Sequence, residues 1–151
     1  PYQMVANTGR YYLIGTYDKY DDVSHYRIDR ITSVTQLAEP RKPKSNIKEF
    51  AQGFNLPRHM AEHIYMYSGE SVTVKFTADI DLMDELIDWF GRDFRIQEIG
   101  GGTMLVMLKC NERAMLYWAL QYGKHIEIKK PESLRDAVRK IVQHMAEKYG
   151  I

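Results

Sequence analysis

Apolar and polar residues alternate early in the chain and give way to helical spacing later. Residues 11–17 form a run of aromatic, branched and leucine side chains, which predicts a strand closed by the charged turn at 18–22. Residues 24–31 predict a second strand, with Tyr26 and Ile28 on one side and His25, Arg27 and Asp29 on the other. Such a strand sets one face on a core and leaves the other for polar partners. Val34 and Leu37 continue the apolar pattern towards Glu39.

Composition then shifts. Glu39–Pro40–Arg41–Lys42–Pro43–Lys44–Ser45 is charged and proline-interrupted, which marks a boundary. Residues 40–70 read as a linker with two short helices. One, over 46–54, has Ile47, Phe50 and Phe54 on a stripe; the other, over 57–65, has Pro57 near its first position. From residue 71 the pattern becomes regular. It predicts a strand over 72–76, a helix over 79–90 and strands over 94–99 and 103–109 joined by Gly100–Gly101–Gly102. Asn111 then caps a helix to about 122, and a strand over 125–129 follows. This βαββαβ order predicts a ferredoxin-like α+β domain over 71–151. A last helix opening at Pro131 carries the apolar stripe Leu134, Val138, Ile141, Val142 and Met145, which must dock on something.

Composition narrows the function classes. The 151 residues are 44% hydrophobic and 27% charged, as in a folded globular protein. Net charge is +1, so any electrostatic function sits in a local patch and not in a global field. The single cysteine, Cys110, cannot form an internal disulfide. No apolar run approaches the roughly 20 residues that span a bilayer, and no secretory signal is present. A cytoplasmic location and no membrane partner are expected. The chain opens on Pro1–Tyr2 without an initiator methionine, which reads as a fragment of something longer.

The first segment holds the densest candidate chemistry. Arg27 and Arg30, with His25 and Arg10, supply donors suited to phosphate or carboxylate. Tyr11, Tyr12, Tyr17, Tyr20 and Tyr26 supply rings on which bases can stack. The plainer account is a small tyrosine core with Asp29 neutralising an arginine in a surface pair.

Gly9–Arg10–Tyr11–Tyr12–Leu13–Ile14–Gly15 followed by Ser24–His25–Tyr26–Arg27–Ile28–Asp29–Arg30–Ile31 resembles the WYL domain family. The naming Trp-Tyr-Leu triplet is Tyr-Tyr-Leu here. The second stretch resembles the family's aromatic-Arg-aliphatic-Asp-Arg-aliphatic motif. The likeness covers residues 1–39. Residues 71–151, with Asp88–Trp89–Phe90–Gly91 and Gly123…Pro131–Glu132–Ser133–Leu134–Arg135, resemble the C-terminal extension found beside WYL domains.

The resemblance implies an Sm-like or SH3-like β-barrel, here partial because the first strands are missing. It implies a bacterial transcriptional regulator whose winged helix-turn-helix, in a missing N-terminal region, would meet duplex DNA. It also implies a homodimer, and a basic pocket for a single-stranded nucleic-acid or nucleotide effector. By position, Tyr12, His25, Arg27 and Arg30 would line that pocket. Arg27 is the strongest of the four, because the alternation puts it on the polar face. Arg30 needs a bulge or the strand end to reach the pocket. The unpaired barrel edge is expected to pair with another copy or to be covered by the linker helices.

Other residues carry less. His59 and His63 stand four apart on a predicted helix, but Met60 occupies the place of an HExxH glutamate and no third ligand is in a motif, so no metal is expected. Cys110 reads as a buried thiol. Asp79, Asp81, Asp84 and Glu85 suit the start of a helix. No nucleophile-elbow or Ser-His-Asp pattern occurs, so no catalytic residue, cofactor or enzyme activity is expected. The expected function is effector sensing and oligomerisation in a regulator; the alternative is an interaction module with no ligand of its own.

Overall fold

A computed structural model describes residues 1–51 and 53–151, with Glu98 described in its backbone alone. The chain forms an α+β structure with two antiparallel sheets, one of three strands and one of four.

The first sheet runs β1 (Gln3–Asn7), β2 (Arg10–Gly15) and β3 (Ser24–Arg27), in spatial order β1-β2-β3. The alternation of β2 buries Tyr12 and Ile14 and leaves Tyr11 exposed on the other face. Val5 pairs with Tyr12 across β1 and β2, and Ile47, Phe50 and Met66 close the small core from the segment that follows. The segment read as a linker is therefore structural. It gives Ile47, Phe50 and Met66 to this core and Ile64 to the next one.

Three sequence expectations change here. β1 is a strand that the early pattern did not single out. β3 stops at Arg27, and Ile28–Arg30 winds into a 3-10 turn, so the predicted strand to Ile31 is half its expected length. Val34 and Leu37 lie exposed outside any regular element.

The second part begins with short helices α1 (Lys48–Ala51) and α2 (Leu56–Glu62). Asn55 caps α2 by accepting the Arg58 N–H at 2.9 Å, which sets its start. β4 (Ser71–Asp79), α3 (Met83–Phe90), β5 (Arg95–Gly100), β6 (Thr103–Asn111), α4 (Glu112–Gln121) and β7 (Ile126–Lys130) then follow in the order the periodicity predicts. Their sheet runs β5-β6-β4-β7. The register sets Val74, Phe76 and Ala78 against Leu108, Val106 and Met104, all buried. α3 covers that face with Leu86 and Phe90, and α4 covers it with Met115 and Trp118. Gly100, Gly101 and Gly102 all have positive φ, which lets the β5–β6 connection reverse without strain.

α5 (Glu132–Lys148) docks less fully than its stripe suggests. Leu134 is buried and Val138 packs on the core, whereas Val142 and Met145 stay about half exposed.

Candidate functional site

The site is built where the first sheet meets the segment entering β4. Cross-strand register places Arg27 opposite Tyr12 and His25 opposite Ile14, so the two polar side chains share a face with the small core. The alternation had assigned them to a face separate from the core. The reversal follows from supply: β1, β2 and the linker fill that core, and edge strand β3 adds only its polar rim. Tyr26 points the other way and is 40% exposed.

Beyond that rim lies a cleft of about 510 Å³. All four predicted residues, Tyr12, His25, Arg27 and Arg30, line it. Arg30 reaches it because the strand ends and the 3-10 turn swings its side chain round. Its opposite wall is Tyr65, Met66 and Tyr67; the sequence reading ended a helix at Tyr65 and connected none of the three to the pocket. The available signal was two tyrosines spaced by two ahead of a turn.

That wall is held in place from the second core. Tyr65 donates its hydroxyl to Gln121 Oε1 at 2.7 Å and its ring lies 5.0 Å from Trp89. Tyr67 stacks on Tyr117 of α4 at 5.7 Å and 15°, with the Arg113 guanidinium 4.7 Å above its ring. Tyr65 and Met66 both have positive φ, 59° and 57°. For side-chain-bearing residues each costs on the order of 1–3 kcal/mol, a strain that collects at ligand clamps and switch segments. Here it lets Met66 enter the first core while Tyr65 and Tyr67 pack on the second.

Charge in the cleft is partly engaged. Asp29 grips Arg27 with both oxygens, Nε to Oδ1 being 3.0 Å. That contact holds the carboxyl of Asp29 below its usual range and raises the guanidinium of Arg27. Arg30 is exposed and enters no ion pair among the described residues. A phosphate or carboxylate entering the cleft would meet Arg30 directly and would share or displace Asp29 at Arg27.

His25 links the cleft to a histidine cluster. Its Nε2 lies 2.8 Å from Nε2 of His59, and its Nδ1 lies 3.0 Å from the hydroxyl of Ser68. His59 and His63 are buried and stacked 4.2 Å apart. Burial first, and then the neighbouring His63 charge, push the pKa of His25 down to about 4 and that of His59 to about 3. His63 faces the carbonyl oxygens of His59 and Gly69, with Nδ1 and Nε2 at 2.9 and 3.2 Å. Among the described residues no group of three or more His, Cys, Asp or Glu side chains is arranged to hold a metal ion. The rings engage each other and the backbone.

Elsewhere, Cys110 is fully buried and its thiol is pushed up to about 12, which makes it an inert core residue. An apolar groove of about 420 Å³ lies between α4, β7 and α5. Its arginines, Arg135 and Arg139, are held by Glu127, Glu132 and Asp136, so it lacks free converging charge. No described helix is long and apolar enough to cross a membrane.

Two family models match the chain. The WYL domain model matches residues 1–36 and the WCX domain model matches residues 68–146, more than half of the chain. No curated protein matches.

Proposed function

Because the chain belongs to the WCX domain family and carries a WYL domain ahead of it, a pairing typical of WYL-type transcriptional regulators, we propose that its cleft senses a nucleotide or single-stranded nucleic-acid effector. These domains mark a regulatory, non-catalytic region, and no catalytic family matches. In this reading residues 1–39 are part of an Sm- or SH3-like barrel, residues 40–70 connect it, and residues 71–151 are a ferredoxin-like extension. The regulator acts as a homodimer and meets duplex DNA through a region other than these two domains.

One observation carries the proposal. Tyr12, His25, Arg27 and Arg30 converge on a single cleft whose far wall is tyrosine. Guanidinium groups suit phosphate oxygens, and tyrosine rings suit bases. An effector seated there touches β3 on one side and residues 65–67 on the other. It can therefore favour one arrangement of the two domains by binding it more tightly.

Titration of the protein with a short fluorescein-labelled oligothymidylate, and separately with cyclic nucleotides, tests this. Binding that weakens in Arg30→Ala and falls with salt supports the cleft. Equal affinity in Arg30→Ala and the parent protein overturns it. One observation favours the second reading, an interaction module without a ligand: Asp29 already occupies the fork of Arg27. That reading predicts no binding of either probe and dimerisation that ignores them.

A further inference from the structure

The face of the second sheet turned away from α3 and α4 carries a line of positive charge that the cleft does not use. Lys75 is the register partner of Lys130 on one side and of Met107 on the other, and Met107 is the partner of Arg95. A register shift between Phe76 and Lys75 skips Lys129 and brings Lys130 opposite Lys75, so Lys130, Lys75, Met107 and Arg95 form one row across all four strands. At about 4.8 Å per strand the row spans roughly 14 Å. The three cations are exposed and Met107 is half-buried between them.

Lys109 adds a further charge two residues along β6. The ion pairs among the described residues involve neither Lys75 nor Arg95. Lys130 and Lys109 have only long contacts, each 3.7 Å, to Glu132 and Glu62. Acidic side chains border the row. Glu127, paired with Lys129, lies opposite Thr77, and Glu62 and Asp93 line the hollow beside Arg95, Met107 and Lys109. The row is thus a local excess of positive charge in a chain of net charge +1. Half-buried Leu105 and Met107 give the same face an apolar centre.

We propose that this open sheet face is a second docking surface, for the backbone of single-stranded nucleic acid laid along Lys130, Lys75 and Arg95. The shape excludes a duplex groove as the counterpart. A major groove about 12 Å wide admits one helix or a two-stranded ribbon, not a four-stranded sheet. A flexible single strand can follow the twisted face, with phosphates on the cations and bases against Met107 and Leu105. The row holds no aromatic ring, so the binding is indifferent to sequence and driven by phosphate contacts.

The surface is independent of the cleft, and the test separates them. Anisotropy of a labelled oligothymidylate is followed on the full chain carrying Arg27→Ala and Arg30→Ala. Three phosphate contacts predict a slope of log affinity against log salt of roughly −2, or about 20-fold weaker binding between about 50 and 200 mM salt. Adding Lys75→Glu and Arg95→Glu should cost about tenfold or more at the lower salt. Lys75→Gln with Arg95→Gln should give an intermediate loss, and unchanged circular dichroism and melting show that both pairs fold. The proposal is overturned if the cleft variant binds no oligonucleotide, or if either pair binds as tightly as that variant. Equal competition by duplex DNA or by polyglutamate also overturns it.

Discussion

Nε2 of His25 in β3 and Nε2 of His59 in α2 face each other at 2.8 Å. One must donate and the other accept, so the two rings cannot both be protonated while the contact holds. The His25 backbone N–H donates to the Ser68 hydroxyl oxygen, and that hydroxyl lies 3.0 Å from His25 Nδ1. In the tautomer in which Ser68 donates to Nδ1, His25 is the donor to His59. A single polar chain ties the first sheet, the linker helix and the entrance to β4 together.

Acid should loosen this junction. In the unfolded chain both histidines take up protons near pH 6.5, whereas in the folded chain they wait until about 4 and about 3. Between those values unfolding binds protons, so stability is full above about pH 6.5 and falls as pH drops towards 4. Thermal melting from pH 7.5 to 4 should show that decline, and His59→Phe should flatten it. An equally steep decline in the variant would remove the pair from the acid response.

Asn111 serves two elements. Its side-chain oxygen caps α4 by accepting the Ala114 N–H at 3.1 Å, and its amide donates to the Ser68 and Glu70 carbonyls at 3.3 and 3.4 Å. Asn111→Ala should cost about 2 kcal/mol, because a cap is lost and buried partners go unpaired. Asn111→Asp keeps the cap alone and should fall between. Urea denaturation orders the three proteins.

The larger core should respond in proportion to volume. Phe76 is fully buried and lies 5.7 Å from Trp118. Phe76→Ala should destabilise by about 3–5 kcal/mol. A loss under about 1 kcal/mol by the same measurement would mean that this ring is not central to the packing.

The second half was legible because its signals are local. Alternation in β4 and β6, helical spacing in α3 and α4, the Asn111 cap and the glycine reversal each point to the element that forms. The first half depends on contacts distant in sequence. Whether His25 and Arg27 face a core depends on Ile47, Phe50 and Met66, which lie at least 20 residues on. The Tyr65–Tyr67 wall depends on two backbone conformations that no sequence rule assigns to tyrosine or methionine. The four pocket residues were named from their motif, but which partners face them emerged only from tertiary packing.

Asp29 sets the resting state of the cleft. Its carboxylate is 59% exposed and grips Arg27, so it competes with any anionic ligand for that fork. Asp29→Asn keeps the shape and removes the charge. It should raise affinity for oligothymidylate or a cyclic nucleotide several-fold, while melting changes little because an exposed, solvent-screened pair adds little to stability. Lower affinity in Asp29→Asn would mean that Asp29 positions Arg27 for the ligand and does not block it.

The most direct test of the effector cleft is the affinity for labelled oligothymidylate and for cyclic nucleotides of the protein carrying Lys75→Gln and Arg95→Gln, which neutralise the sheet face, with and without Arg27→Ala. A charge-assisted phosphate contact is worth about 1.5–3 kcal/mol, so the substitution should weaken binding of the true effector class by about 10- to 100-fold. The melting temperature should be nearly unchanged. Equal affinity in the two proteins, for whichever probe binds, would contradict the assignment of Arg27 to an effector site.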